Sequence, residues 1–155
     1  MENEKNDKLK INVTNCREGI EGSIINIYSG TYHIVAKDDG INVANKNLVD
    51  YEEFSVRIYN ADIYINSGGD GIDSNGDIIL YGGNIEIWSM TAGGFEEPID
   101  HKGDLIIKDV TLFAGGSRGM EYTHDGITEI NQQYIHERKL YKSGKEIYIK
   151  NDNKI

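Results

Sequence analysis

Carboxylates flank a recurring apolar position in this chain. The apolar positions are Ile20, Ile41, Ile72, Ile99 and Met120. Two residues before them stand Glu18, Asp39, Asp70 and Glu97, with Arg118 last; one residue after them stand Glu21, Asn42, Asp73, Asp100 and Glu121. Asp38, Ser74, Asn75 and Asp77 add oxygen donors alongside. If successive copies stack as neighbouring strands, about 4.8 Å apart, each carboxylate pair repels by roughly 3–4 kcal/mol at an effective dielectric of about 20, or by about 1 kcal/mol when fully hydrated. A cation would remove that cost. Hard oxygen donors without His or Cys favour Ca²⁺. The expected ligands are Asp38, Asp39, Asp70, Asp73, Asn75, Asp77 and Asp100, with Asn42 as a further donor. The stretch from Asp70 to Asp77 lacks the spacing and terminal Glu of an EF-hand, so the expectation rests on register between copies. The same residue types also suit solvated turns, where Asp and Asn bond their own backbone, and that reading needs no ion.

A second set of chemistry-bearing residues is aromatic. Tyr28, Tyr59 and Tyr81, followed by Lys108, occupy one outward position of successive copies. His33, Tyr64, Glu86 and Phe113 occupy another, with Trp88 two residues beyond Glu86. Aromatic rings held on a rigid sheet suit the apolar faces of sugar rings, so Tyr28, Tyr59, Tyr81, Tyr64 and Trp88 are the expected polysaccharide contacts. Cross-strand aromatic ladders also stabilise sheets without binding anything.

The elements that must position these residues follow from a repeat. Gly19-Ile20-Glu21 recurs as Gly40-Ile41-Asn42, Gly71-Ile72-Asp73, Pro98-Ile99-Asp100 and Gly119-Met120-Glu121, at spacings of 21, 31, 27 and 21 residues. After the first four come the alternating pairs Ile25 and Ile27, Val56 and Ile58, Ile78 and Leu80, Leu105 and Ile107. A small residue (Gly30, Ala61, Gly83) suits a bend, and Val110 departs from that rule. A second alternating run follows: Tyr32 and Ile34, Ile63 and Ile65, Ile85 and Ile87, Leu112 and Ala114. Period-two alternation means strands with one face inward. A short two-strand unit cannot bury its own apolar face, but stacked copies can. The expected fold is therefore all-β: a single-stranded right-handed parallel β-helix of about four to five coils, right-handed as parallel crossovers nearly always are. Residues 1–155 are read as one domain, with the array over 19–121 and a cap over 122–155. Leu9, Ile11 and Val13 predict a partial first coil. Insertions at Ala44–Phe54 and Ser89–Glu96 predict loops. Lys139–Lys150, alternating around Ser143-Gly144, predicts a β-hairpin that covers the open lower edge.

Composition bounds the function. The net charge of −10 argues against a nucleic-acid partner. The imbalance is uneven: residues 1–130 hold 10 basic and 23 acidic groups, and residues 131–155 hold 6 and 3. Hydrophobic residues are 38% of the chain, which suits a thin solenoid core. No apolar stretch approaches about 18 residues, so no membrane span is expected. The polar start, Met1–Lys10, shows no signal peptide. The lone Cys16 reads as a small buried hydrophobe. His101, His124 and His136 share no ligand spacing, so zinc is not expected.

Asp38-Asp39-Gly40-Ile41-Asn42-Val43-Ala44, then Gly69-Asp70-Gly71-Ile72-Asp73-Ser74-Asn75-Gly76-Asp77-Ile78, then Tyr81-Gly82-Gly83-Asn84-Ile85 follow one another in order. Pro98-Ile99-Asp100 with Gly103-Asp104, and Gly115-Gly116-Ser117-Arg118-Gly119-Met120, continue the succession. Across about residues 19–121 it resembles the clostridial carbohydrate-binding domain family. The resemblance implies a right-handed parallel β-helix, an extracellular or cell-surface location, Ca²⁺ bound by turn carboxylates, and acidic or neutral plant polysaccharides as ligands. The chain departs from that family in its short basic C-terminal end and its two acidic insertions.

Three functions fit: a noncatalytic calcium-dependent carbohydrate-binding module, a β-helical uronate lyase, or a structural or adhesion element. A lyase would use Ca²⁺ to neutralise the uronate and a basic residue to remove the adjacent proton. Arg118 ends the acidic column and is the array's candidate for that base, with Lys102 and Lys108 as alternatives. As a counter-charge it needs no catalytic role, so no catalytic residue is assigned.

Overall fold

The computed structural model describes residues 9–44, 54–89, 96–116 and 126–132. Fourteen short strands form three sheets, and no helix occurs among the described residues. Sheet A holds β1 (Lys10–Cys16), β4 (Gly30–Ala36), β7 (Ala61–Ser67), β10 (Gly83–Ser89) and β13 (Thr111–Gly116), in that spatial order. Sheet B holds β2 (Ile20–Gly22), β5 (Ile41–Val43), β8 (Ile72–Ser74) and β11 (Ile99–His101). Sheet C holds β3 (Ile24–Ile27), β6 (Ser55–Ile58), β9 (Asp77–Tyr81), β12 (Leu105–Lys108) and β14 (Glu129–Ile130). Every pairing is parallel. From β1 to β13 the chain visits A, B and C in rotation, an order compatible with the expected solenoid. One passage through the three sheets is called a circuit below.

The expected apolar columns are laid in register. Ile20 pairs with Ile41, Ile41 with Ile72, and Ile72 with Ile99. Met120 lies outside the described residues. In sheet C, Ile25, Val56, Ile78 and Leu105 form one row and Ile27, Ile58, Leu80 and Ile107 the next. In sheet A, Tyr32, Ile63, Ile85 and Leu112 align, as do Ile34, Ile65, Ile87 and Ala114. Ile34, Ile41, Ile58, Ile65, Ile72, Ile78, Leu80 and Ile87 are fully buried and form the core with Phe54 and Val56. Branched Ile and Val fit the pleated surface of stacked strands, and each buried side chain of this size contributes about 1.5–3 kcal/mol. The expectation weakens in β13: Leu112 is half-buried and Ala114 is exposed. Cys16 is also only half-buried, with its thiol 3.5 Å from the Val35 carbonyl oxygen.

The array is longer than residues 19–121. β1 pairs with β4, placing Ile11 on Tyr32 and Val13 on Ile34, and β14 pairs with β12, setting Ile130 against Ile107. The sequence after Met120 shows no repeat, and the strand described there, β14, is two residues long. Val110, the misfit among the bend residues, is buried. Its circuit bends at Asp109, whose φ of 53° is left-handed. The Gln132 side chain then occupies both backbone groups of Val110, accepting its N–H at 3.0 Å and donating to its carbonyl at 2.7 Å. The insertion residues 45–53 and 90–95, the expected hairpin and Arg118 all lie outside the described residues.

Candidate cation site and aromatic faces

The turns from sheet A into sheet B are tight because of glycine. A Cβ on Gly40 would strike the Gly71 carbonyl and a methyl of Ile65; one on Gly71 would strike the Pro98 carbonyl and a methyl of Ile87. These turns carry the acidic column, and its carboxylates have a structural task. Glu18 accepts the backbone N–H of Asp39 at 3.1 Å, and Asp39 accepts that of Asp70 at 2.8 Å. Asp70 accepts the N–H of Glu97. Each carboxylate thus caps the donor of the next circuit, as an Asp caps a helix end.

The column also brings acids together. Carboxylate oxygens lie within 4.8 Å of one another in three groups: Glu18 with Asp38 and Asp39; Asp39 with Asp70 and Glu96; Asp70 with Asp73 and Asp100. Five expected residues (Asp38, Asp39, Asp70, Asp73 and Asp100) are therefore in these groups. Asn75 and Asp77 are not. They stand past the other end of β8, where Asn75 accepts from the Lys102 ammonium and Asp77 accepts the N–H of Asp104 at 2.9 Å. The three-residue strand separates the two ends, which a list of nearby carboxylates does not reveal. Asp38 is at the exposed margin, bonded to Arg17 at 2.8 Å. Glu18 and Glu96 were missing from the expected set. Glu18 was legible as the first member of the column. Glu96 was hidden because the repeat assigns that place to its neighbour Glu97.

Burial is the main influence on these acids. It lifts Asp39 to about 7, Asp70 to about 8 and Asp73 to about 6. Capped N–H groups pull Asp39 and Asp70 back down; after that, neighbouring carboxylates push up, among them Asp73 and Glu18 on Asp39, and Asp39 and Asp100 on Asp70. For Asp73 the next influence after burial is Asp100, which also pushes up, while Lys102 opposes it. Asp70 itself is 8% exposed.

The donor set fits a hard divalent cation. All its members are oxygens. Asn42, in register between Glu21 and Asp73, gives its amide N–H to Asp39 at 3.2 Å. Its Oδ1 is buried with no hydrogen-bond donor among the described residues. A buried carbonyl oxygen of this kind costs about 1–3 kcal/mol unless something binds it. Gly69 also lies so close to Asp38 and Asp39 that a Cβ there would collide with both carboxylates.

The outward aromatic columns form as expected, but with their faces turned toward one another. Tyr28 and Tyr59 stack at 4.9 Å with a 6° interplanar angle, and Tyr59 and Tyr81 at 5.8 Å and 27°. The Lys108 ammonium lies 5.9 Å from the Tyr81 centroid and is ion-paired with Glu129 at 2.8 Å. His33 stacks on Tyr64 at 5.0 Å and 6°. A flat row of open ring faces is therefore not what the tyrosine column presents: inner rings offer edges and hydroxyls. Trp88 differs, meeting Phe113 at 4.7 Å and 46°.

A family model described as "Carbohydrate-binding domain-containing protein" matches residues 6–152. No curated protein matches the chain. No solved structure matches it.

Proposed function

The chain belongs to the carbohydrate-binding domain-containing family, and from that membership we propose that it is a noncatalytic, calcium-dependent module for a plant or cell-wall polysaccharide. The reading includes a right-handed parallel β-helix, supported by three parallel sheets visited in rotation. It also includes a place outside the cell or on its surface, where such polysaccharides are. No helix among the described residues is long and apolar enough to cross a membrane.

Calcium would be held by Asp39, Asp70, Asp73 and Asp100, with the Asn42 carbonyl oxygen among them and Asp38 at the margin. The observation that carries this is the buried Asn42 Oδ1, without a donor among the described residues, on a side chain whose amide N–H is bonded to Asp39 of the acidic column. The ion would supply positive charge where successive circuits set acids side by side. The chain's own residues do the positioning: glycine turns bring the circuits close, and backbone N–H groups hold the carboxylates. The polysaccharide would meet outward rings of the expected set whose faces are not used up in the tyrosine stack, Trp88 first, since Tyr28, Tyr59 and Tyr81 turn their faces to one another.

Binding without cleavage fits the setting of Lys108, one of the candidate bases. Lys108 is paired with Glu129, and that hydrogen bond raises its pKa above the usual lysine value, the reverse of what proton abstraction needs.

Affinity electrophoresis through gels holding a neutral glucan or polygalacturonate, with calcium or with chelator, tests the proposal. Retardation in calcium that weakens in chelator is the expected result. Ultraviolet absorbance growing in a polygalacturonate mixture would replace it with the lyase reading. Migration unchanged by every polysaccharide would leave the structural or adhesion reading.

A further inference from the structure

Resting on the carbohydrate-binding reading, we propose that the sugar lies on the outer face of sheet A, across Trp88 and Phe113, and that this face takes a neutral pyranose chain rather than a polyuronate. The tyrosine column of sheet C is then scaffold.

The argument begins with what each ring has left to offer. In the tyrosine column each ring is in line with the next, so stacking uses the faces a sugar would need. Trp88 has no ring in its own row. Its neighbours across the strands are Asn66 on one side and Gly115 on the other. The indole and the Phe113 ring meet over the bare backbone of Gly115: a Cβ there would lie 3.4 Å from Trp88 Cε3 and 3.2 Å from Phe113 Cε1. Two rings tilted at 46° over a glycine form a shallow apolar trough. The C–H face of a pyranose fits such a surface.

Polar groups stand at its margin. Glu86 accepts the indole N–H at 2.7 Å, which fixes the ring's direction. Its carboxylate has a second oxygen suited to a sugar hydroxyl. Asn66 is exposed and brings both a donor and an acceptor. Tyr64 pairs with Glu86 in the next strand, adding a phenol. Each strand is rigidly paired in sheet A, so little ordering cost falls on binding.

Charge decides the sugar class. Glu86 stands beside the trough, and Asp62 lies on the same face, bonded to Asn84 at 2.7 Å. Hydroxyls donate well to carboxylates, whereas a uronate carboxylate beside Glu86 meets like charge. The chain's net charge of −10 adds to that repulsion.

Trp88 is the chain's single tryptophan, so its fluorescence reports on this face alone. The full chain, in calcium, is titrated with a β-1,4-linked glucohexaose and separately with an oligogalacturonate, and retardation is measured in a neutral-glucan gel. The glucohexaose should shift tryptophan emission to saturation while the oligogalacturonate leaves it unchanged. Trp88→Ala should weaken retardation by about tenfold or more, Trp88→Phe by less, and Tyr59→Ala with Tyr81→Ala should leave it near wild type. Circular dichroism checks each fold; if Trp88→Ala does not fold, Trp88→Phe and the wild-type emission decide. Retardation with no shift in emission, or unaltered by Trp88→Ala, would overturn the site while leaving carbohydrate binding standing. A shift with oligogalacturonate alone would overturn the sugar class. Wild-type protein that neither shifts nor is retarded with any polysaccharide would remove the carbohydrate reading and the inference together.

Discussion

The carboxylate of Asp39 accepts the backbone N–H of Asp70 at 2.8 Å across 31 residues of chain. One side chain therefore does two things that chemistry can separate: it caps a donor and it carries a charge. Asp39→Asn can keep the cap and lose the charge, while Asp39→Ala loses both. In chelator, Asp39→Asn should equal or exceed the wild type in stability, and Asp39→Ala should lose about 1–3 kcal/mol for the uncapped donor. Urea unfolding of the three proteins checks this; equal losses in both variants would show that the cap is immaterial.

Stability without calcium should fall as pH rises. Asp39, Asp70 and Asp73 are lifted to about 7, 8 and 6, above their unfolded value of 3.8. Between those limits the folded state holds more protons than the unfolded state, so the slope of stability against pH is negative. The stabilisation is complete below about pH 4 and is lost as pH climbs through about 6 to 8. Calcium should flatten this decline, because it takes the place of the protons. Melting temperatures across that range, with chelator and with saturating calcium, check both statements. Identical curves in the two conditions would remove calcium from the site.

Gly71→Ala should destabilise despite being the smallest possible change. The added methyl meets the Pro98 carbonyl and a methyl of Ile87, the latter fully buried in the core. A cost of about 1–3 kcal/mol is expected from overpacking, measured by chemical denaturation. Gly126→Ala is a contrasting control for space, since among the described residues, its chain neighbours aside, no atom lies within 4 Å of its added Cβ, although its φ of +82° adds backbone strain.

Tyr59→Ala should separate scaffold from binding. Tyr59 stacks on Tyr28 above and on Tyr81 below. Losing both contacts should cost about 1–3 kcal/mol. Denaturation should show that loss while retardation in a neutral-glucan gel stays unchanged.

Much of this was legible in the sequence where burial fixed the outcome. Ile41, Ile72 and Ile99 fall in register because a one-residue slip would turn every apolar side chain outward. The acidic column followed from the same register. The parts that escaped were those where direction, not position, matters. Period-two alternation says that Tyr59 faces outward, but it cannot say that the ring turns its face to Tyr81 rather than to solvent. Asn75 and Asp77 are close to Asp73 in sequence, yet β8 carries them to its far end. Gln132 substitutes for a strand beside Val110 by using side-chain atoms, and no backbone pattern announces that.

The carboxylate caps among the described residues all point one way, while Thr128, Asn131 and Gln132 cap in the opposite sense, accepting the N–H groups of Leu105, Asp109 and Val110. Glu18, Asp39, Asp70 and Asp77 each wait for an N–H that arrives 21 to 31 residues later, at Asp39, Asp70, Glu97 and Asp104. The run of carboxylate caps is therefore directional. A circuit made earlier on the ribosome already displays the acceptor that its successor will dock against, and domains emerge N-terminal first. Its two ends are chemically distinct: shortening the chain from the C-terminal side strips carboxylates of their donors, while shortening it from the N-terminal side strips amides of their acceptors.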